Sequence, residues 1–481
     1  MNTTNNSNYE EIYSPVNFDS KEILRQEGWK GYMIESHHQK LDFILHQIYI
    51  NRILHDKYEH SDFIKLSAKH HIERYLYPET TKKLKPLLKK YGVIEDNGYY
   101  RIAKEENGFN GECLGYRLTS KYDVPHRRIS VDKHSTLYNN IIRFRTADFK
   151  KQDQVTQWIG SNMQDIGIRK DDAIAYVEQW YANAILFINP DNLKKNQHYD
   201  DYQKIIESKK ERYLYIINAI YDGTIFQAKR DKTGERVHHA ISVLWRELRQ
   251  FLYLRSKPDA LLCNLDVANS QPFCLVKILR DVFKDKAKPT SVQTYIKEVS
   301  QGTFYHYMAN AVGLSVTDFS KFKTDLFANV FYGENEKTFH SKSAQAFMKE
   351  FPTVYQVIEN EKQGNYKKLA VLMQKVESQA IVDGVMTDLM HKYEDKYFFT
   401  SLHDSVIFEY QPELVDEIKM LMVQHMEKVV GLKPTIKKLE YFNLPAATNS
   451  AVQQFKDAIE MFEWYDSMAY VAHEELVLNL L

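Results

Sequence analysis

Two aspartates stand at the ends of apolar, strand-like segments and are the first candidates for chemistry. Asp266 follows the run Ala260–Leu265, and a polar turn and an apolar helix come directly after it. Asp404 lies at the tip between Tyr397–Leu402 and Val406–Glu409, a pattern typical of a β-hairpin. Two carboxylates on neighbouring strand ends can hold two Mg²⁺ ions, and in-line phosphoryl displacement uses such a metal pair. The sequence therefore predicts a metal-dependent phosphoryl-transfer site at these two residues.

A second set of candidate residues lies on one predicted helix. The segment Ser320–Gly333 is predicted as a helix that ends at its glycine. Lys323, Phe327 and Phe331 recur at i, i+4 and i+8 and so share one face. A lysine suits a triphosphate, and aromatic rings suit a base or a sugar. The same spacing is also typical of a buried core stripe with a lysine at its edge.

Three arginines precede Asp266 in the sequence, where a negatively charged substrate would lie. One follows a basic turn within residues 226–239, and two lie in Trp245–Leu252, which is predicted as an amphipathic helix. Solvated arginines on a helix face would give the same pattern. The three residues are Arg236, Arg246 and Arg249.

Length and composition limit the possible classes of protein. The chain has 481 residues, which predicts two to four domains, and its hydrophobic content of 43% predicts ordered folding. Lysine plus arginine and aspartate plus glutamate number 64 each. This balance disfavours non-specific coating of nucleic acid but allows a local basic channel.

The cysteines and the apolar runs indicate a compartment. Cys113, Cys263 and Cys274 have neither CxxC spacing nor a histidine partner at zinc-site spacing, and we predict reduced, buried thiols. The sequence has no signal-peptide pattern and no apolar run of transmembrane length. We therefore expect a soluble, cytoplasmic protein with no membrane partner.

Residues 60–128 are predicted to form a winged-helix-like module. A helix over Asp62–Leu76 and a second one from Pro78 are followed by a hairpin, with Val93–Glu95 as its first strand and Asn97-Gly98 as its turn. Lysines on the second helix would contact phosphates, although a solvated basic face in a protein-contact module would have the same composition. These lysines are Lys82, Lys83, Lys85, Lys89 and Lys90.

The order of the segments in residues 226–442 resembles family A DNA polymerases and the related single-subunit phage-type RNA polymerases. Thr233–Arg236 is similar to the family's TGR segment with one residue inserted, and Leu248–Phe251 is similar to IRQAF. Met373-Gln374 resembles the MQ of the helix before motif C. His403–Glu409 resembles motif C itself, HDELVFE.

This resemblance implies an α+β right-hand polymerase with a small antiparallel palm sheet and with helical fingers and thumb. Asp266 and Asp404 would then hold two Mg²⁺ ions, which Mn²⁺ can replace. The partners would be a DNA template and primer and nucleoside triphosphates. The implied nucleotide-binding residues are Lys323, Phe327, Phe331, Tyr332 and Gln271, and the implied primer and template contacts are Arg236, Arg246, Arg249, Gln374, His403 and Glu409.

The predicted elements of the whole chain, together with this resemblance over residues 226–442, divide the chain into predicted segments. They are an N-terminal arm and helix (1–59), with residues 1 to about 20 disordered; the winged-helix-like module (60–128); a helical, thumb-like region (129–232); the first palm part (233–300); the fingers (301–372); the second palm part (373–445); and a helical, acidic C-terminal tail (446–481).

Several residues depart from the family pattern. Gln271 stands five residues after Asp266, where the DNA polymerases have a glutamate that blocks ribose, and the spacing to Ser270 is closer to that of the RNA polymerases. His403-Asp404-Ser405 is also the RNA polymerase form of motif C.

The predicted fingers helix can be aligned in two ways. Aligning Lys323 puts Phe331 at the family's tyrosine, whereas aligning Tyr332-Gly333 puts Thr324 at the family's lysine. We prefer the first alignment, because a charge for the triphosphate is harder to replace than a ring.

The function predicted from these residues is a family A-like DNA polymerase with relaxed sugar discrimination, of a phage or mobile-element type. No upstream stretch has the clustered carboxylates of a proofreading exonuclease, so none is expected. One alternative is an RNA polymerase or primase. Another is a non-catalytic winged-helix replication protein that binds nucleic acid.

Overall fold

The computed structural model has an α+β architecture in which helices predominate over small antiparallel sheets. It describes residues 10–54, 63–101, 113–186, 199–224, 228–284, 286–313, 319–335 and 341–442. These stretches divide into two compact units. The first contains residues up to 151 together with 181–215 and 222–224, and the second contains 152–180, 216–221 and the residues from 225 onward.

The strands of the described residues are short, and each pairs antiparallel with its neighbours. They are β1 (Glu11–Pro15), β2 (Ile64–Lys65), β3 (Ile94–Asp96), β4 (Gly115–Leu118), β5 (His126–Ser130), β6 (Ile166–Ile168), β7 (Lys229–Arg230), β8 (Val237–His238), β9 (Leu252–Leu254), β10 (Leu262–Asp266), β11 (Phe399–Leu402), β12 (Ser405–Glu409) and β13 (Glu440–Tyr441).

Most of the described chain is helical, with π-helical turns at Ala68–Glu73, Phe327–Phe331 and Ile381–Met386 and 3₁₀ turns at Met163–Asp165 and Arg246–Phe251. The α-helices are α1 (Ser20–Gln26), α2 (Tyr32–Leu54), α3 (Arg74–Leu76), α4 (Pro78–Lys90), α5 (Thr136–Lys150), α6 (Gln154–Asn162), α7 (Lys170–Leu186), α8 (Tyr199–Asp222), α9 (Ala240–Val243), α10 (Ser270–Val282), α11 (Thr290–Ser300), α12 (Phe304–Ala311), α13 (Phe319–Leu326), α14 (Lys342–Glu350), α15 (Pro352–Lys362), α16 (Lys367–Ala380), α17 (Thr387–Tyr393) and α18 (Pro412–Val430).

The N-terminal segment is more ordered than the sequence predicted. Residues 1 to about 20 were expected to be a disordered arm, but β1 pairs with β5 and the buried Ile12 opposes Ile129. Asp19 then caps α1, since its side chain accepts the backbone N–H groups of Lys21 and Glu22 at 3.0 Å each. Strand β1 was not predicted because it is short and lies between polar residues, although its buried residues pack against α2.

The region predicted as a winged helix contains a three-stranded sheet in the order β2-β4-β3, with a helical segment and α4 between β2 and β3. Among the described residues β3 pairs with β4, and the predicted return strand of the hairpin continues into residues that lie outside the described part of the chain. The Asp96 and Asn97 side chains accept the N–H groups of Gly98 and Tyr99, which forms a local turn.

A buried histidine in the first unit predicts loss of stability in acid. His46 is 7% exposed, its Nδ1 accepts the Tyr13 N–H at 3.1 Å, and burial lowers the pKa of His46 to about 3. The unfolded chain takes up a proton near pH 6.5 and the folded chain does not, so stability is complete above pH 6.5 and falls toward pH 3. At pH 5 the contribution of His46 to the loss in the free energy of unfolding should be about 2 kcal/mol.

Urea unfolding of the full chain at pH 7.5 and pH 5 measures this loss. His46→Asn keeps an acceptor for Tyr13 without the titration, so it should lower stability at pH 7.5 but flatten the pH dependence. An equally steep pH dependence in this variant would contradict the assignment to His46.

The second unit is built around a four-stranded sheet in the order β11-β12-β10-β13. One face carries alternate apolar residues such as Cys263, Leu265 and Phe408, which are fully buried in the same hydrophobic core. Helices α10, α16 and α18 contribute to this core, and α18 ends at Gly431, whose φ of +76° suits glycine. A large hydrophobic core therefore supports the two central strands, β10 and β12.

Other predictions need correction in the described part of the chain. Trp245–Leu252 was predicted as an amphipathic helix, but it forms a 3₁₀ turn that leads into β9, which pairs with β6. Cys113 is exposed, whereas Cys263 and Cys274 are buried as expected. The predicted region 129–232 contributes to both units, and the predicted tail 446–481 lies outside the described residues. No helix among the described residues is long and apolar enough to cross a membrane.

Candidate active site

The central strands bring the two aspartates together. Asp266 is the last residue of β10 and pairs with Ser405, the first residue of β12. Asp404 therefore occupies the turn beside Asp266, and the Val267 N–H lies 3.4 Å from the Asp404 carbonyl oxygen. His403 completes this turn with a φ of +56°, a conformation that costs energy for a residue other than glycine. The tight turn thus fixes both carboxylates at the same end of the two central strands.

The neighbouring carboxylates of Asp266 and Asp404 repel each other, as expected for a pair that binds a cation. Burial raises the pKa of Asp404 well above its ordinary value, and the negative charges of Asp266 and Glu377 raise it further. Asp266 Oδ1 is buried and accepts no hydrogen bond from the described residues. An unpartnered carboxylate oxygen beside a second carboxylate fits a divalent cation.

The described residues do not supply a complete metal cage. They contain no group of three or more histidine, cysteine, aspartate or glutamate side chains that could hold a metal ion. Mg²⁺ is commonly held by one or two carboxylates together with water and substrate phosphates. The pair formed by Asp266 and Asp404 fits that kind of site.

A cationic rim surrounds Asp266. Lys437 forms an ion pair with Asp266 Oδ2, and its backbone N–H donates to the Asp266 carbonyl at 2.8 Å. Lys323 lies 4.5 Å from the centre of the Tyr305 ring. Burial and the charge of Lys437 lower the pKa of Lys323 to about 8, against the opposing effect of Asp266. Arg246 pairs with Glu440 at 2.9 Å and lies within the electrostatic reach of Asp266.

The helix that carries Lys323 is irregular at the residues on which the two alignments differ. It is α-helical to Leu326 and then makes the π turn Phe327–Phe331, in which the Tyr332 N–H donates to the Phe327 carbonyl at 2.9 Å. A π turn accommodates one extra residue within a helix. Lys323 and Tyr332 can therefore both lie toward the site although nine positions separate them.

The two aromatic residues at the end of this π turn have different environments. Phe331 is fully buried and its ring centre lies 5.7 Å from that of Phe347, so it packs in the hydrophobic core, and its nucleotide contact stays a prediction. Tyr332 instead donates to Gln271 Oε1 at 3.2 Å. Phe327 packs between the Tyr305 and Tyr332 rings at 6.2 and 5.3 Å.

A buried glutamate links the residues beside the aspartates. Glu377 is 1% exposed, and its Oε1 accepts from Arg236 Nε at 2.8 Å. Its Oε2 accepts from Ser270 Oγ at 3.0 Å and from Gln271 Nε2 at 2.5 Å. Since Gln271 also accepts from Tyr332, one network joins Arg236, in the turn before β8, to α10, α16 and the end of the π turn.

The turn before β8 is held by Asp231. Its carboxylate accepts from the backbone N–H groups of Thr233 and Gly234 at 2.8 and 2.6 Å and lies 3.0 Å from His238 Nε2. Burial alone would raise the pKa of Asp231, but the bond to His238 and these backbone bonds lower it to about 2. A Cβ on Gly234 would lie 2.5 Å from Gln374 Oε1, so a larger residue there would displace the Gln374 side chain. Gln374 thus contacts this turn.

Other predicted contacts lie around the same turns. The His403 ring is 6.0 Å from the His238 ring. The charge of Arg249 acts on Glu247 and on the buried His239. Glu409 is not near the aspartates: it lies at the opposite end of β12, opposes Leu262 and pairs with Lys257 at 2.9 Å. The predicted primer contact of Glu409 is therefore not supported.

The lysines on α4, which belong to the first unit, do not form a free basic face. Lys82 pairs with Glu79 at 2.9 Å, Lys89 pairs with Asp96, and Lys90 pairs with Glu27 at 2.6 Å. Lys85 donates to the Tyr116 hydroxyl at 2.9 Å. Exposed pairs of this kind contribute little to stability, so a phosphate could still displace the acids.

Sequence reasoning missed several residues of the site. Neither Glu377 nor Lys437 was assigned a role from the sequence. Tyr305, which is 7% exposed, gave no signal because one tyrosine in a helix is usually core. The basic pair Lys437-Lys438 was the usable signal.

Comparisons with known proteins add little to this geometry. No family model matches the chain, and no curated protein matches it. Among solved structures, the POL domain of Pol1 from M. smegmatis, in complex with DNA primer-template and dNTP, is similar over 64% of this chain and 72% of that chain. The sequence identity is 10% and the TM-score is 0.35, values that do not establish a shared function.

Proposed function

We propose that this protein is a template-directed nucleotidyltransferase, specifically a DNA polymerase with a palm-like sheet and a two-metal site. The observation that carries the proposal is the pair Asp266 and Asp404 at one sheet edge, faced by a helix with a lysine and a tyrosine. Paired carboxylates beside a cationic rim match the needs of phosphoryl transfer, in which a substrate rich in negative charge meets metal ions.

Each residue near the aspartates has a task in this proposal. Mg²⁺ or Mn²⁺ held by Asp266 and Asp404 would lower the pKa of the attacking 3′-hydroxyl and stabilise charge on the departing pyrophosphate. Lys323 binds the triphosphate, and its pKa of about 8 suits it to give a proton to a phosphate oxygen. Lys437 and Arg246 add positive charge along the same path.

The sugar preference follows from Gln271 and Tyr332. Gln271 has nearly the volume of glutamate, and its bond to the Tyr332 hydroxyl holds it in place. Burial raises the pKa of Tyr332, so its hydroxyl keeps the proton that it donates. A fixed, bulky pair disfavours a ribose 2′-hydroxyl, which supports deoxynucleotides as substrates.

Extension of one primed DNA template tests the proposal. With Mg²⁺ and equal concentrations of either four dNTPs or four NTPs, we expect products whose sequence copies the template and whose synthesis is faster with dNTPs. Faster synthesis with NTPs, or synthesis without a primer, would favour the RNA polymerase or primase alternative. No synthesis with either set would contradict the proposal.

We also propose that the module of residues 60–128 is a winged helix that contacts duplex DNA through α4. The sheet order β2-β4-β3 and the position of two helical segments before β3 support it. Replacing its five lysines, residues 82, 83, 85, 89 and 90, by glutamine should weaken binding. The slope of log K against log salt should become shallower by about 0.9 for each phosphate that the protein no longer neutralises.

Filter binding across a salt series measures that slope, and extension of a preformed primer should remain. A slope equal to that of the unmodified protein would mean that these lysines form only a solvated face.

A further inference from the structure

The orientation of the Gln271 side-chain amide is fixed by chemistry. Glu377 can only accept hydrogen bonds, so the amide nitrogen of Gln271 must face it at 2.5 Å. The amide oxygen then faces the Tyr332 hydroxyl at 3.2 Å and accepts its proton. The opposite amide orientation would place two acceptors against each other inside the protein.

Hydrogen bonds from three side chains hold the Glu377 carboxylate in this arrangement. Arg236, 13% exposed in its side chain, contacts Glu377 Oε1 through Nε at 2.8 Å and through a terminal nitrogen at 2.6 Å. The other oxygen, Oε2, receives Ser270 and Gln271. The carboxylate is thus saturated with donors in a buried position, where breaking any one bond is costly.

We propose that Glu377 is a positioning residue that sets the sugar specificity of this site. By engaging the amide nitrogen of Gln271, it turns the amide oxygen to Tyr332 and keeps an amide N–H from being offered to a 2′-hydroxyl. Gln271 provides the steric bulk, and Glu377 determines which polar atom of the Gln271 amide faces the sugar. This inference rests on the proposed function and extends it to a residue on another helix.

The substitution Glu377→Gln reverses the polarity of the network without changing its shape. Arg236 still requires an acceptor, so the new amide oxygen turns to Arg236 and the new amide nitrogen turns to Gln271. Gln271 must then flip, and its own N–H groups face Tyr332 and the sugar. We expect the ratio of kcat/KM for a dNTP to that for the matching NTP to fall by about tenfold or more, mainly through a lower KM for the NTP.

The exchange Gln271→Glu with Glu377→Gln tests the orientation directly. In this double variant the amide nitrogen of the new glutamine donates to the new carboxylate, and Tyr332 again donates toward position 271. The sugar ratio should return toward that of the unmodified protein. A merely structural role for Glu377 would lower activity with both sugars equally and would give no such recovery.

The matched control is Glu409→Gln, which replaces another buried, ion-paired glutamate of the same unit at the far end of β12. It should leave the sugar ratio unchanged. If the protein extends primers but Glu377→Gln keeps the original ratio, or if the exchange does not restore it, the inference is overturned and the proposed function stands. If the unmodified protein neither binds nor uses either nucleotide, both are overturned.

Discussion

Asp404→Asn should make the protein more stable and inactive at the same time. Burial and the charges of Asp266 and Glu377 disfavour an ionised Asp404, so a neutral side chain of the same shape removes repulsion. Without divalent cations we expect a gain of about 1–3 kcal/mol in the free energy of unfolding at pH 7.5. Nucleotide addition should fall by roughly 10³-fold or more, because the remaining carboxylate cannot hold the metal pair alone.

Thermal unfolding in EDTA and primer extension in Mg²⁺ measure the two effects. Asp281→Asn is the control, since Asp281 forms an exposed pair with Lys277 on α10 and should change neither stability nor extension noticeably. A less stable Asp404→Asn protein would mean that the carboxylate is a satisfied structural group. Full activity in this variant would remove Asp404 from the catalytic site.

Arg236→Met should destabilise the second unit strongly. Arg236 provides the cation for Glu377, whose side chain is 1% exposed. Removing one partner of a buried pair leaves an uncompensated charge, which costs about 3–5 kcal/mol. Urea unfolding at pH 7.5 should show this loss.

The double variant Arg236→Met with Glu377→Gln separates charge from packing. It removes both charges of the pair, so most of the loss should be recovered. Equal losses in the single and double variants would mean that Arg236 stabilises the fold through packing of its alkyl chain. In that case Glu377 would have sufficient donors without Arg236.

The parts of the site that follow from local pattern were predictable from the sequence. Asp266 and Asp404 were found because apolar strands with a polar turn leave few arrangements, and the observed pairing of Asp266 with Ser405 satisfies them. Helix α18 likewise ends at Gly431, the kind of boundary that a glycine after an amphipathic segment predicts. These features depend on residues close together in sequence.

The features that depend on distant residues or on helix irregularity were not predictable. The assumed period of 3.6 residues forced a choice between Phe331 and Tyr332, whereas the π turn changes the facing of the residues after Lys323. The lysines of α4 looked free because one of their acids, Glu27, lies 63 residues from Lys90. The role of Glu377 depends on its distant donor Arg236, 141 residues away in sequence, which no local pattern supplies.

Single-nucleotide addition to a labelled primer tests the central claim most directly. We predict that the unmodified protein adds the templated dNTP in Mg²⁺ or Mn²⁺, adds nothing in EDTA, and loses addition in Asp266→Asn while that variant stays folded. Addition by Asp266→Asn at the rate of the unmodified protein, or no addition by the unmodified protein with either cation, would contradict the assignment of this carboxylate pair as a nucleotidyl-transfer site.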